Sequence, residues 1–145
     1  MIKFSERTQG AVSLAGRILL AAVFILSGIG KLTAPAGTQG YIAAAGLPLP
    51  PLAYVVAVVI EVGAGSLLLL GYRARPTALI LCVFALATAA VFHHDLANQS
   101  QFVHFFKNLA IAGGLLQIAA FGPGVLSADA HRSSSAGRQP TRLQA

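Results

Sequence analysis

Cysteine is nearly absent: Cys82 is the only one in 145 residues. A lone thiol excludes an internal disulfide, a Cys-x-x-Cys redox pair, a cysteine zinc cage and a Cys-x-x-Cys-His haem attachment. Charge is scarce too, at 10% of residues against roughly 25% in an ordinary soluble domain. A nucleotide-binding glycine fingerprint and a convincing pair of intramembrane haem histidines are also missing, so no electron carrier is built into the chain. What abounds is apolar: 56% of the residues. Such a chain is not disordered, and a globule of about 150 residues buries only about 70% of its unfolded surface. Lipid is the solvent for the rest.

Four stretches approach the roughly 20 apolar residues that cross a hydrocarbon core as a helix. They run over about 11–32, 52–72, 76–92 and 105–122. Pro76 suits a first helical position because its missing N–H would be unpaired there anyway. The GPG of residues 122–124 stops the fourth stretch. The expected fold is therefore all-α, a polytopic four-transmembrane-helix bundle over 11–126. A segment over 1–10 precedes it, and a polar tail over 127–145, without apolar period, is expected to be poorly ordered. Pro35, Pro48, Pro50 and Pro51 break the link between spans one and two, leaving room for a short interfacial helix around Tyr41. No internal repeat is evident.

The net charge of +6 is distributed by side. Lys3 and Arg7 precede span one, Arg73 and Arg75 join spans two and three, and Arg132, Arg138 and Arg142 follow span four. Only Lys31 and Lys107 lie at the opposite margin. The positive-inside rule then places both termini in the cytoplasm. Dispersed arginines without interleaved stacking aromatics are not a nucleic-acid surface, and anionic lipid headgroups are their expected partners. Span one is not expected to be a cleaved signal peptide. It is long for one, contains Arg17, and its loss would leave an odd number of spans with basic loops on opposite sides.

Charge at membrane depth costs about 2.5–3.5 kcal/mol per residue on insertion scales, so each case needs a partner, a water path or a function. Glu61 is the deepest acid, roughly 13 Å from the outer end of span two. Arg17, Ala21, Phe24, Gly28 and Lys31 form one stripe on span one, and Ala57, Glu61 and Gly65 another on span two. Packing the stripes together lets Glu61 accept hydrogen bonds from Arg17 and, if span four is adjacent, from Lys107 or Asn108. Two readings stay open: an ion pair that fixes helix register, or a polar cavity for a small anion, a quinone headgroup or a proton. Gly113 and Gly114 are read as packing residues, and Cys82 as an inert one on the Ala78, Ala85, Ala89 face. His93, His94, Asp95 and His104 are metal-ligand types at no diagnostic spacing, so no metal site is assigned.

The string GRILLAAVFILSGIGKL, a loop tyrosine followed by GLP, Glu61 among small residues, LLLLGYRAR, FFKNLAIAGGLL and the closing GPGVLSAD resemble the DoxX family of small membrane proteins over about residues 14–129. The resemblance implies a four-helix bundle in a bacterial-type inner membrane. Arg17, Lys31, Glu61, Lys107 and Asn108 match its polar positions, and Asp129 its closing turn; no catalytic residue follows from it. Some such proteins accompany thiosulfate:quinone oxidoreductase or assemblies that handle thiol or oxidative stress. The function expected here is a small subunit or accessory of a membrane redox system, not catalytic alone. It has no intrinsic cofactor, and a quinone, an oxidoreductase partner and self-association are compatible with it. The alternatives are a small-solute or proton pathway centred on Glu61, and a structural membrane scaffold.

Overall fold

The computed structural model describes residues 5–136; Lys3, Arg138 and Arg142 lie outside them. Helix α1 (Glu6–Thr33) is capped by Ser5, whose hydroxyl accepts from the Thr8 N–H. Helix α2 (Pro35–Ala44) follows at once, with proline in its first turn, where the interfacial helix around Tyr41 is expected. The second span is composite: α3 (Pro50–Val58), a π-helical segment (Val59–Ala64) and α4 (Gly65–Leu70). Helices α5 (Ala74–Phe92) and α6 (Gln99–Phe121) complete the spans. Four helices, Glu6–Thr33, Pro50–Leu70, Ala74–Phe92 and Gln99–Phe121, are long and apolar enough to cross a membrane.

Helix α6 begins six residues before the fourth apolar stretch. Asn98 caps it by accepting from the Ser100 and Gln101 N–H groups, so a polar first turn is helical without being lipid-soluble. The segment after Gly122 also differs from the poorly ordered tail expected, because residues Ala128–Ala136 form helix α7. Residues 137–145 of that tail lie outside the described residues.

Apolar side chains point outward as much as inward. Leu19, Leu26, Val83 and Phe121 are exposed, which only a hydrocarbon surround tolerates. The core between helices is narrow: Ala21 and Phe24 of α1, Leu68 of α4, Ala78, Leu81, Cys82 and Ala85 of α5, and Ala112 and Leu115 of α6. Cys82 sits at the α5–α6 contact near the Ala112 carbonyl, on the buried alanine face expected for it. Close approach of α1 to the second span depends on Gly28. A Cβ there would lie 2.6 Å from Val62 Cγ2 and 3.1 Å from Glu61 Cβ. The glycine pair of α6 has no such role, since Gly113 faces open space and Gly114 makes only ordinary contact with Leu20.

The first half of α1 and the segment after α6 meet at one end of the bundle. The Ser13 hydroxyl donates to Pro123 O at 2.9 Å. Arg17, almost fully buried, donates through Nη1 to Leu69 O at 3.1 Å and through Nη2 to Leu126 O. Asp129 completes this closing end: its carboxylate accepts from Arg73 N at 2.8 Å and Ala74 N at 2.9 Å, while its own N–H donates to Gly71 O. A carboxylate at the start of α5 meets the positive end of the helix dipole, and it holds Arg73 in a left-handed conformation, φ 44°.

Candidate functional site

At the opposite end, α2 lies across the bundle and roofs a cavity of about 790 Å³, within the usual range of small-molecule sites. Its walls are Val23 and Phe24 from α1, Ile42 from α2, Val56 and Ala57 from α3, Phe84 and Ala87 from α5, and Ile111 from α6. Polar groups collect on a few positions: Ser27, Lys31, Glu61, His93, His104, Lys107 and Asn108.

Glu61 projects from the π-helical segment. The wider turn of such a segment re-aims side chains, and π segments recur at functional sites. The Glu61 carboxylate is almost fully buried. Its Oε1 accepts from Lys31 Nζ at 2.9 Å and from the Ser27 hydroxyl at 3.1 Å, and Nζ lies 2.8 Å from Oε2. Lys31 also donates to Ser27 Oγ at 2.9 Å, so ammonium, hydroxyl and carboxylate close a small ring. One turn separates Ser27 from Lys31 on α1, which is why both reach the same acid. The Tyr54 hydroxyl donates to Lys31 O at 3.3 Å and ties α3 to the end of α1.

This geometry corrects the expected pairing of Glu61 with Arg17. Lys31 is the partner. Arg17 lies fourteen residues earlier on α1, about 21 Å along its axis, and its guanidinium serves backbone carbonyls at the closing end. Lys107 and Asn108 line the cavity, but neither hydrogen-bonds to Glu61 among the described residues. Lys107 donates instead to His104 Nδ1 at 3.0 Å. Of the five polar positions singled out in the sequence, four share the cavity and Arg17 stands apart.

The mouth of the cavity is aromatic. Tyr41 stacks on Phe92 with ring centroids 5.2 Å apart, and His93 stacks on His104 at 5.0 Å. Burial, reinforced by His104 and Lys107, lowers the pKa of His93 below the ordinary histidine value. His94 lies against Val91 O, and Asp95 caps the Ala97 N–H. No three metal-ligand side chains gather among the described residues.

The DoxX family pattern matches residues 12–94, which takes in α1, the composite second span, α5 and most of the cavity wall. The chain belongs to the DoxX family. Two curated relatives from Escherichia coli (strain K12) agree with that assignment. Inner membrane protein YphA is 39% identical over 121 residues, covering 80% of this chain and 86% of its own, and Inner membrane protein YqjF is 43% identical over 116 residues, covering 80% and 88%. No solved structure matches. This DoxX protein is a multi-pass inner membrane protein.

Sequence reasoning misses Ser27, Tyr41 and the stacking of His93 on His104 as parts of this DoxX cavity. Ser27 could have been found, since it precedes Lys31 by four on the same helix face. Tyr41 depends on where α2 packs, and the histidine stack on how the end of α5 meets α6; no local pattern encodes either.

Proposed function

We propose that this DoxX protein is a small accessory of a membrane redox system that holds a lipophilic ring compound of the quinone type in its α2-end cavity and does not catalyse alone. The observation that carries this reading is the cavity itself: apolar and aromatic walls open to a ring and tail, with hydrogen-bonding groups confined to one end. The residues present fit such a molecule. Phe24 and Phe84 offer flat contacts, and Lys107 and Asn108 are placed to donate to a carbonyl oxygen. A bound quinone would supply redox chemistry, and electrons would come from or pass to an oxidoreductase partner, since the chain has no carrier of its own.

A solute or proton pathway is less well supported. Between the Lys31–Glu61 pair and Arg17 lies the packed core, in which Ala21, Leu68, Leu81 and Leu115 are fully buried, so the cavity is a pocket with one end. The described arginines at the closing end, Arg7, Arg73, Arg75 and Arg132, support a cytoplasmic location for that end and for both termini. The cavity then faces the outer half of the membrane.

Purification in a mild detergent, followed by organic extraction and an optical spectrum, tests the reading. The expected result is a redox-active quinone retained near one per chain, or a flavoprotein or other oxidoreductase carried along. A preparation from native membranes that yields neither would overturn it.

A further inference from the structure

We infer that the α2-end cavity selects lipophilic monoanions, an apolar body bearing a carboxylate or sulfonate, over neutral and cationic molecules of equal size, with the head held by Lys107 and Asn108. This goes beyond the quinone reading and rests on the same cavity: a neutral quinone fits it, and an anion of equal size binds more tightly.

Three charged side chains line the cavity, Lys31, Lys107 and Glu61, so its wall carries one more positive charge than negative. Lys31 and Glu61 neutralise each other. Lys31 donates to Ser27 Oγ and to Glu61 Oε1 and lies within ion-pair distance of Oε2, and the Ser27 proton goes to Glu61. Its charge is matched locally and its head is drawn toward the acid. The hydroxyls of Thr38 and Thr88 are likewise committed, to Ala34 O and Ala85 O at 2.9 Å each.

Lys107 differs. Its ammonium makes one hydrogen bond, to His104 Nδ1, leaving two N–H groups, and it has no acid within ion-pair distance among the described residues. Asp95 in the adjoining loop accepts from Ala97 N and is not part of the cavity wall. Because an ammonium can only donate, His104 Nδ1 is the acceptor, and the neutral ring carries its proton on Nε2, a further donor. The Asn108 amide makes no hydrogen bond among the described residues and lines the same wall. The Asn108 amide and the His104 Nε2–H thus add donors around one uncompensated cation. An anionic head in an apolar cavity has a large desolvation cost, and charge-assisted hydrogen bonds from Lys107 offset it where neutral donors alone would not.

The test measures saturable binding of four probes with a ten-carbon chain, decanesulfonate, decanol, decyltrimethylammonium and a decyl-benzoquinone, to the full chain in phosphatidylcholine nanodiscs, with empty nanodiscs as the partition blank. Decanesulfonate should bind at least tenfold tighter than decanol, and the cation should not saturate. Lys107→Gln, at an exposed position that does not threaten folding, should remove most of that preference. Glu61→Gln, checked for an intact fold by circular dichroism, should strengthen sulfonate binding by freeing Lys31; a merely structural effect would not give that opposite sign. Equal affinity for sulfonate and decanol would overturn the charge selection while leaving the cavity reading in place. Binding of a decyl-benzoquinone with no sulfonate binding would do the same. Failure of all four probes to saturate would overturn both.

Discussion

Lys31 and Glu61 form a pair whose two members are unequally placed. The Glu61 carboxylate is 6% exposed and the Lys31 side chain 25%. Removing the cation leaves a nearly buried carboxylate without its partner, and an unpaired buried charge costs about 3–5 kcal/mol. Removing the acid leaves an ammonium that can bend along its four-carbon stem toward the interface, at about 1.5–3 kcal/mol for the lost charged hydrogen bond. Lys31→Met should therefore destabilise markedly more than Glu61→Gln when unfolding is followed in mixed micelles, and equal losses would contradict the burial difference. The sequence displayed both residues and the stripe of α1 that carries Lys31. It did not display the pairing, because helical spacing gives a face and not the direction in which a long flexible side chain turns. Lys31 turns inward to Glu61 rather than outward to the interface, while Arg17, about 21 Å away along α1, serves the carbonyls of Leu69 and Leu126.

Among the elements, the closing segment departs most from what apolar patterning predicts. Helix α7 has no apolar period and is fixed by polar contacts: Asp129 on the start of α5, and Arg132 on the Tyr72 hydroxyl at 3.0 Å. Gly71 makes that docking sterically possible. At φ 66° it occupies the left-handed region, and a Cβ there would strike the Arg17 guanidinium and lie 2.6 Å from Ser127 Cβ. Gly71→Ala should cost about 1–3 kcal/mol from conformational strain, and more as Arg17 is displaced. Gly30→Ala, a helical site with open space around it, should be neutral or stabilise by up to about 1 kcal/mol. Comparing the thermal midpoints of the two variants in detergent checks this, and equal midpoints would refute the role given to Gly71. The four spans were legible to within a few residues because hydropathy alone demands them. The π-helical segment around Glu61 was not, since the wider turn leaves no mark in residue type.

As a whole molecule, the protein is a bundle with unlike ends: one sealed by arginine, aspartate and backbone carbonyls, the other opened into a roofed apolar cavity with its polar groups at the mouth. The apolar spans and the exposed leucines follow from lipid as solvent; the cavity is what the fold adds. Its occupation is tested most directly by filling it. Ala57 lines the wall, whereas Val59, two residues on, is largely exposed on the outer surface. The measurement is the saturable binding of a decyl-benzoquinone to Ala57→Phe and Val59→Phe proteins in nanodiscs. The cavity account predicts one site per chain in the parent and in Val59→Phe, and at least a tenfold loss in Ala57→Phe. Undiminished binding to a folded Ala57→Phe protein would contradict it.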